Sequence, residues 1–216
     1  RTVEDETSPF FGRRLLNAGL PQGTSDKHVL GSQQPDALLG LTNMFTYKGF
    51  SFSFLLSASI GGEIFSGTNH ALQRTGVGAV TVVNGARDEF IAEGVIDDGA
   101  GGLKENDIPV TPQNYWAAVT GSSGNLGINE ANVYDASHFR LRNVNLTYNF
   151  NREWLKKTPF TGLSAGVSAN NVWMISSNLN GVDPEAVNAT GSNAQGFENM
   201  APPTTRTVFF NIAAKF

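Results

Sequence analysis

The chain lacks cysteine altogether and carries few charged side chains. Its 216 residues contain no Cys, and charged residues make up 16% of them, against roughly 25% in an average soluble domain. The missing thiols exclude a disulfide scaffold, a Cys-ligated zinc site and a thiol nucleophile. The net charge is −4, and Lys and Arg form no sustained stripe. Because a nucleic-acid binder needs such a basic footprint, nucleic acid is not an expected partner.

Long hydrophobic runs are also missing. No stretch approaches the roughly 20 apolar residues of a helical membrane span, so a chain of this kind that lies in a membrane must cross it as strands. The first residues, Arg1 to Thr7, contain no basic segment followed by an apolar one. We therefore expect no signal peptide within this sequence. We expect the chain to begin in the middle of a longer protein.

Motifs for catalysis or metal binding are not found. No Gly-x-Ser-x-Gly nucleophile motif occurs, and Gly76-Val-Gly78 lacks the third glycine of a dinucleotide fingerprint. The three histidines are scattered without ligand spacing. Asp97, Asp98 and Asp107 fit no EF-hand loop and are interpreted as turn formers. We expect no enzyme, no metal and no cofactor, although carboxylates that only folding brings together escape such a search.

What the sequence does contain is alternation between apolar and neutral polar residues. From Phe50 to Ile60 the aromatic and aliphatic residues alternate with four serines and Leu55, after a turn at Lys48-Gly49. In the strand from His138 to Phe150 they alternate with Asn and Thr from Asn143 onward. Successive side chains of a strand point to opposite faces, so this period of two predicts strands with one apolar and one polar face. Five strands are predicted, at about 38–47, 50–60, 138–150, 163–173 and 204–216.

The connections between these strands alternate in length. Residues 48–49 and 151–162 are short, whereas 61–137 and 174–203 are long. Bacterial outer-membrane barrels place short turns on the periplasmic side and long loops outside, whereas a soluble sandwich has no reason to place its length at one end. The last strand ends on Phe216, an aromatic suited to the membrane interface. Five strands cannot close a barrel, so we expect part of a larger one, with residues 1–37 a loop or strand remnant leading into it.

Several segments resemble a known family. Val133-Tyr-Asp-Ala-Ser-His-Phe-Arg-Leu-Arg-Asn-Val-Asn-Leu-Thr-Tyr148 is similar to a stretch near the C-terminus of SusC/RagA-type TonB-dependent transporters of Bacteroidota. Other segments resemble the family in the correct order, and the similarity covers about residues 29–216; these segments are Pro35-Asp36 with Gly40-Leu-Thr-Asn43, Tyr47-Lys-Gly-Phe50, Asn170-Asn-Val-Trp173, Gly181-Val-Asp-Pro-Glu185 and Pro203-Thr-Thr-Arg206. Val182 departs from the family, which usually has an aromatic there.

The resemblance implies an all-β fold, namely the C-terminal five or so antiparallel strands of a transmembrane barrel of about 22 strands with long extracellular loops. It further implies an importer of oligosaccharides or oligopeptides in the bacterial outer membrane. Expected partners are the N-terminal barrel and plug portion, a SusD-like surface lipoprotein, outer-membrane lipid, and the TonB complex through the missing N-terminal part. From the residues alone, a secreted all-β adhesin or carbohydrate-binding module stays an alternative.

Four residues are candidates for contact with a substrate or partner. Tyr115 and Trp116 lie in the long loop 61–137, where exposed aromatics stack on sugars or anchor a protein, although a packed loop core explains them equally well. Asn143 and Asn145 share the polar parity of their strand, so they are predicted to line the lumen and offer neutral donors and acceptors. A hydrated wall that contacts only the plug is the alternative for both.

Two further groups carry charge near the outer strand ends. Strict alternation gives Arg140 and Arg142 the parity of the apolar residues, with their length allowing them to reach the rim. Asp183-Pro184-Glu185 is interpreted as turn chemistry rather than as a ligand site.

Overall fold

The computed structural model describes residues 1–83, 85–121, 127–179, 181–187, 191 and 195–216. None of the helices in these ranges is long and apolar enough to cross a membrane. The helices are α1 (Gly67–Arg74), α2 (Pro112–Thr120) and α3 (Arg152–Leu155), with 3-10 turns at Ala79–Thr81 and Asn129–Asn132. The strands are β1 (Leu16–Asn17), β2 (Leu20–Pro21), β3 (Ala37–Tyr47), β4 (Phe50–Ile60), β5 (Glu63–Ser66), β6 (Phe90–Ile91), β7 (Val95–Asp97), β8 (Leu103–Glu105), β9 (Pro109–Val110), β10 (Val133–Asp135), β11 (His138–Asn149), β12 (Gly162–Ser177), β13 (Phe197–Glu198) and β14 (Thr207–Lys215).

The chain divides into two compact units. The loop unit comprises Arg1–Leu30 and Phe65–Val133, and the sheet unit comprises Gly31–Ile64 and Tyr134–Phe216.

The sheet unit is built on five long strands in the order β14-β12-β11-β4-β3. All neighbouring pairs are antiparallel. The strands contain 9 to 16 residues, and about 9–11 residues suffice for a tilted strand to cross a bilayer. The predicted all-β fold class with about five antiparallel strands is confirmed.

The pairing register aligns the apolar residues of all five strands with one another. Leu146 lies opposite Phe52 on one side and Val167 on the other, and Val167 lies opposite Phe210. Because residues that pair directly point to the same face, the sheet has one apolar face, formed chiefly by Phe45, Phe50, Phe52, Phe54, Val144, Leu146, Tyr148, Ala165, Val167, Val208, Phe210 and Ile212.

The opposite face is polar. Asn145 pairs with Ser53 and Ser168, and Thr147 pairs with Ser51. Leu55 and Phe209 are apolar exceptions on this side, since they pair with Asn143 and Ser168. The residues at alternate positions of these strands thus form one continuous surface of the sheet.

A tight hairpin connects β3 and β4. Its two turn residues, Lys48 and Gly49, have φ of 46° and 90°, and two-residue hairpins with the twist of β-strands need such positive values. A Cβ at Gly49 would sit 2.7 Å from the backbone oxygen of Asn149. Glycine is required here because β11 passes so close.

Aromatic rings gather at the same end of the sheet as this hairpin. The rings of Phe50 and Tyr148 have centroids 4.5 Å apart, and Trp154 of α3 lies 6.5 Å from Tyr148. Phe216 packs on Phe160 at 5.3 Å. Such rings suit the boundary between hydrocarbon and water.

An irregularity in β11 changes the facing of its first residues. The register shifts between Leu141 and Asn143, so that Leu141 pairs with Leu56 and Arg140 with Ser57. One extra residue in β11 reverses the parity beyond it. The prediction that the two arginines share the apolar parity is wrong: Arg140 lies on the polar face, and Arg142 Nε donates to Ser57 Oγ at 2.8 Å on that same face.

The loop unit contains two helices and several short antiparallel strand pairs. β1 pairs with β2, β6 with β9 and β7 with β8. Its core is formed by Leu16, Ala92 and Ile96, with Phe90, Ile108 and Tyr115 packed against them. Thr111 caps α2, since its side chain accepts a hydrogen bond from Asn114 N. The unit therefore has apolar packing of its own.

Candidate functional site

From Asn143 to the end of β11, the polar face of the sheet is lined by neutral side chains, several of which bond to one another. Asn143 Nδ2 donates to Asn170 Oδ1 at 2.7 Å, and Asn211 Nδ2 donates to Ser168 Oγ at 3.2 Å. Asn145 lies between Ser53 and Ser168 in the register. Asn143 and Asn145 thus both lie on the polar face, half-buried. Neutral amides and hydroxyls both donate and accept, so this wall suits polar, uncharged cargo.

The apolar face is exposed in the isolated chain. Phe210 and Ile212 on β14 are 81% and 79% exposed, although they sit in a regular strand. An exposed apolar surface of this extent marks contact with a partner or with lipid. Opposite a continuous polar face, it matches the alternation of a membrane-spanning barrel wall.

A cluster of charged groups lies on the polar face near the start of β11. Arg140, which is 3% exposed, donates from Nη2 to Asp183 Oδ1 and from Nη1 to Thr204 Oγ1, each at 2.6 Å. Arg142 Nη1 donates to Glu185 Oε2 at 2.9 Å, and its Nη2 also bonds Glu185. Asp183 and Glu185 belong to the connection between β12 and β14. Side chains of β11 therefore bond directly to residues of that connection.

His138 completes the cluster. Its Nε2 lies 3.1 Å from Glu185 Oε1, and its Nδ1 lies 2.9 Å from the backbone oxygen of Ala136. Both partners are acceptors, so the ring makes both bonds only as a double donor, that is, as a cation. Glu185 therefore faces cationic groups from three residues of one strand.

Both carboxyl groups titrate below their ordinary range. Burial raises the pKa of Glu185, but the hydrogen bonds from His138 and Arg142 and the positive charges of Arg140 and Arg142 outweigh it and lower the pKa to about 2. Burial also raises the pKa of Asp183, and the hydrogen bonds from Thr204 and Glu185 N together with the charge of Arg140 lower it on balance. Both groups are anions at neutral pH.

The residues of this cluster could be singled out from the sequence, but the contacts between them could not. Asp183-Pro184-Glu185 does form a turn, since Glu185 N donates to Asp183 Oδ1 at 3.0 Å. The same carboxylates also make the ion pairs, which a turn interpretation does not include. A signal was present: arginines at 140 and 142 within an otherwise neutral strand need counter-charges when they are buried.

The two aromatic candidates lie on α2 in the loop unit, and both are half-buried. Tyr115 packs against the core of the unit, its ring centroid is 5.3 Å from that of Phe90, and its hydroxyl accepts from Arg14 Nη1 at 3.1 Å. Trp116 packs edge-on against Tyr115 at 5.3 Å. These contacts agree with a packed loop core, and contact with a substrate or partner stays a prediction. The structure does not place these rings and the two asparagines in one unit.

Within the described residues, no group of three or more His, Cys, Asp or Glu side chains has a metal-binding arrangement. The acidic turn at Asp97 and Asp98 instead bonds its own backbone. Asp98 Oδ1 accepts from Ala100 N and Gly102 N at 2.7 and 2.9 Å. This is the turn chemistry that its glycines predict.

Comparison with known proteins gives consistent relatives. No protein-family model matches the chain. It is 28% identical over 193 residues to the TonB-dependent receptor P39 of Formosa agariphila, covering 89% of this chain and 17% of that protein. It is 25% identical over 186 residues to the TonB-dependent receptor SusC of Bacteroides thetaiotaomicron, covering 85% and 16%. The chain therefore spans less than a fifth of the length of these relatives.

The fold agrees with this. The structure of the RagAB peptide importer in the open-open state superposes with a TM-score of 0.58 at 16% sequence identity, over 91% of this chain and 19% of that one. A sheet with one apolar and one neutral polar face, among such relatives, is a segment of an outer-membrane β-barrel.

The predicted resemblance to SusC/RagA-type TonB-dependent transporters is confirmed by these similarities, which extend over most of the chain. Its predicted location in the bacterial outer membrane is confirmed by these relatives. The prediction that it is not an enzyme is also confirmed, since the relatives are named as TonB-dependent receptors and the similar structure as a peptide importer.

Proposed function

We propose that the chain forms part of a TonB-dependent importer that takes up oligosaccharides or oligopeptides together with a SusD-like surface lipoprotein. The carrying observation is the sheet itself. Its apolar face is suited to outer-membrane lipid, and its neutral polar face is suited to a hydrated interior through which polar cargo passes. The energy-coupling plug and the segment that contacts TonB would belong to the rest of the transporter.

The interior wall favours cargo without strong charge. Asn143, Asn145 and Thr147 offer amide and hydroxyl groups that bond equally well to sugar hydroxyls and to peptide groups. The RagAB relative is a peptide importer by its own description, while the resemblance of the sequence extends to glycan importers. Both cargo classes are therefore retained in the proposal.

Two sets of residues contact cargo or partner in this proposal. Asn143 and Asn145 contact cargo from the wall. Tyr115 and Trp116 act from the loop unit, where an aromatic pair with a polar tip contributes strongly to recognition of sugars or proteins. The residues 1–37 and the loops 61–137 and 174–203 lead into and out of the barrel strands.

The edges of the sheet support the proposal that more barrel strands adjoin it. β3 and β14 each pair with only one neighbour within the five-stranded sheet. An open sheet edge in hydrocarbon leaves unpaired backbone groups, each of which costs several kcal/mol. The N-terminal barrel portion would supply the missing strands.

The decisive experiment is native mass spectrometry of the tagged full-length transporter extracted from outer membranes in detergent. The proposal expects a lipoprotein to be retained with the barrel and lost on denaturation. Deletion of the transporter gene should then abolish growth on either an oligosaccharide or an oligopeptide as the limiting nutrient, and restoring the gene should restore growth. A protein recovered without detergent from the culture medium would instead support the adhesin or carbohydrate-binding alternative.

A further inference from the structure

We propose that residues 181–187 form a strap fixed across the interior face of the barrel wall near its outer end, with His138, Arg140 and Arg142 as the latch that holds it there. The strap includes the segment Gly181-Val-Asp-Pro-Glu185. This inference concerns the conformation of one connection and rests only on the chain being a barrel segment, not on what the transporter carries.

The side on which the strap lies follows from the pairing of Ser57. Ser57 alternates along β4 with Leu56 and Ala58, which belong to the apolar parity, and it pairs directly with Arg140. Arg142 Nε donates to the hydroxyl of this same serine. The cations, and the strap that they bond, therefore lie on the polar face. In a spanning barrel that face is the interior, because lipid covers the apolar one.

The latch joins both ends of the connection between β12 and β14. Arg140 bonds Asp183 near the beginning of the connection and Thr204 near its end. Thr204 and Asp183 also bond to each other, since the hydroxyl of Thr204 donates to Asp183 Oδ2 at 2.5 Å and its backbone N donates to the same oxygen at 3.1 Å. One guanidinium of β11 thus fixes the base of the connection at two points.

The strap is also packed. Pro184 and Ala186 are buried within it, and Ala186 is 7% exposed. Partly buried charge-assisted bonds contribute more than ion pairs in water, because less solvent competes with them. Glu185 satisfies both of its oxygens with Arg142 and one also with His138. The strap is therefore held by side-chain bonds as well as by its own packing.

A cavity of about 530 Å³ opens beside the strap. Its lining includes Arg140, Met174, Asp183, Thr204 and Arg206. Because the strap forms one side of this cavity, its position shapes the interior surface near the outer end of the wall. While the strap is fixed, the shape of this cavity stays the same. Release of the strap would remove one side of the cavity.

Cysteine labelling of the strap tests the latch. This segment of the transporter contains no native cysteine, so Ala186→Cys in the full-length protein introduces a thiol at a buried strap position. The rate of its reaction with N-ethylmaleimide, followed by mass spectrometry of the peptide around 186, reports how often the strap opens. We expect slow labelling in the otherwise unchanged transporter, and an increase of about tenfold or more when Glu185→Gln is added, since charged hydrogen bonds are lost.

A matched control makes the same chemical change elsewhere. Glu153 pairs with Lys156 on the surface of α3, and Glu153→Gln should leave the labelling rate at 186 unchanged. Arg142→Gln breaks the latch from the other side, with a side chain that is 32% exposed, and serves if Glu185→Gln does not assemble. Labelling at 186 that is as slow in the latch variants as in the control, or fast in all of them, would overturn the proposal. The readout does not involve uptake, so it fails or succeeds independently of the proposed import function.

Discussion

Arg140 and Asp183 form a buried ion pair across the polar face, with a hydrogen bond of 2.6 Å between residues that lie 43 positions apart in the chain. Their side chains are only 4% and 9% exposed. A buried pair of this kind contributes little net stability relative to an apolar replacement, but losing one partner leaves the other charge without compensation. The pair thus determines where the connection after β12 can lie.

Removing the carboxylate alone should be costly. Asp183→Ala leaves Arg140 buried with its hydrogen bond to Thr204 and with Glu185 as a more distant counter-charge at 3.4 Å, so we expect a loss of about 3 kcal/mol in the unfolding free energy of the assembled barrel. The heat-dependent mobility shift of the full-length transporter on gels measures it. The double variant Arg140→Met with Asp183→Ala should be no less stable than the single variant, because the orphan charge is gone. A double variant whose loss of unfolding free energy equals the sum of the losses of the two single variants would contradict this expectation.

The long strands could be predicted from the sequence because their cause is local. Every second residue of β4 is apolar, from Phe50 to Ile60, and this period of two distinguishes a strand from a helix. The facing of the arginines could not be predicted in this way. A single extra residue between Leu141 and Asn143 reverses the parity, and alternation alone carries no mark of it.

The loop unit and the latch escaped prediction for other reasons. Strands of two or three residues, such as β6 and β9, have too few positions to show a period. The start of α2 was more visible, since Thr111 followed by Pro112 is a capping signal. The pairing of Arg140 with Asp183 depends on tertiary structure, because the two residues lie 43 positions apart and no local pattern connects them.

Acid should loosen the strap. The pKa of Glu185 is lowered from 4.5 to about 2 in the folded protein, so its contribution to stability is complete above about pH 4.5 and is lost as the pH falls toward 2. Asp183, also with a lowered pKa, adds to this in the same direction. Hydrogen exchange of residues 181–187, corrected for the intrinsic rate at each pH, should rise below pH 4.5 relative to the sheet. Exchange that does not depend on pH between 6 and 3 would contradict the prediction.

The hairpin between β3 and β4 should tolerate no side chain at Gly49. Gly49→Ala adds a Cβ at positive φ and 2.7 Å from Asn149 O, so we expect a cost of about 1–3 kcal/mol and less assembled barrel. The amount of heat-modifiable transporter in outer membranes measures it. Lys48→Gly is the control: it also has a positive φ, and glycine should be neutral or slightly stabilising there. Equal levels for both variants would show that the turn is not tightly constrained.

Substitutions of Tyr115 distinguish a role in packing from a role in recognition. Tyr115→Phe removes only the bond from Arg14 and should cost about 1 kcal/mol or less, whereas Tyr115→Ala opens a cavity beside Phe90 and should cost about 3–5 kcal/mol. Proteolysis of the loop unit in the full-length transporter reports both. If Tyr115→Phe reduces uptake while protease resistance is unchanged, the residue contacts cargo or partner. Unchanged uptake with Tyr115→Phe would show that recognition does not use the hydroxyl of Tyr115.

The facing of the sheet is tested by a charge at Leu146. Leu146 is 45% exposed in the isolated chain and lies between Phe52 and Val167 on the apolar face. An arginine at mid-depth on the lipid side of a barrel costs about 2–4 kcal/mol, so Leu146→Arg should lower the amount of assembled transporter in the outer membrane severalfold. Leu146→Ala controls for the lost side-chain volume, and Asn145→Ala controls for the neighbouring interior position. Both controls should assemble close to normal levels. If Leu146→Arg assembles as well as Asn145→Ala, the apolar face does not meet lipid, and the assignment of Asn143 and Asn145 to the interior is wrong as well.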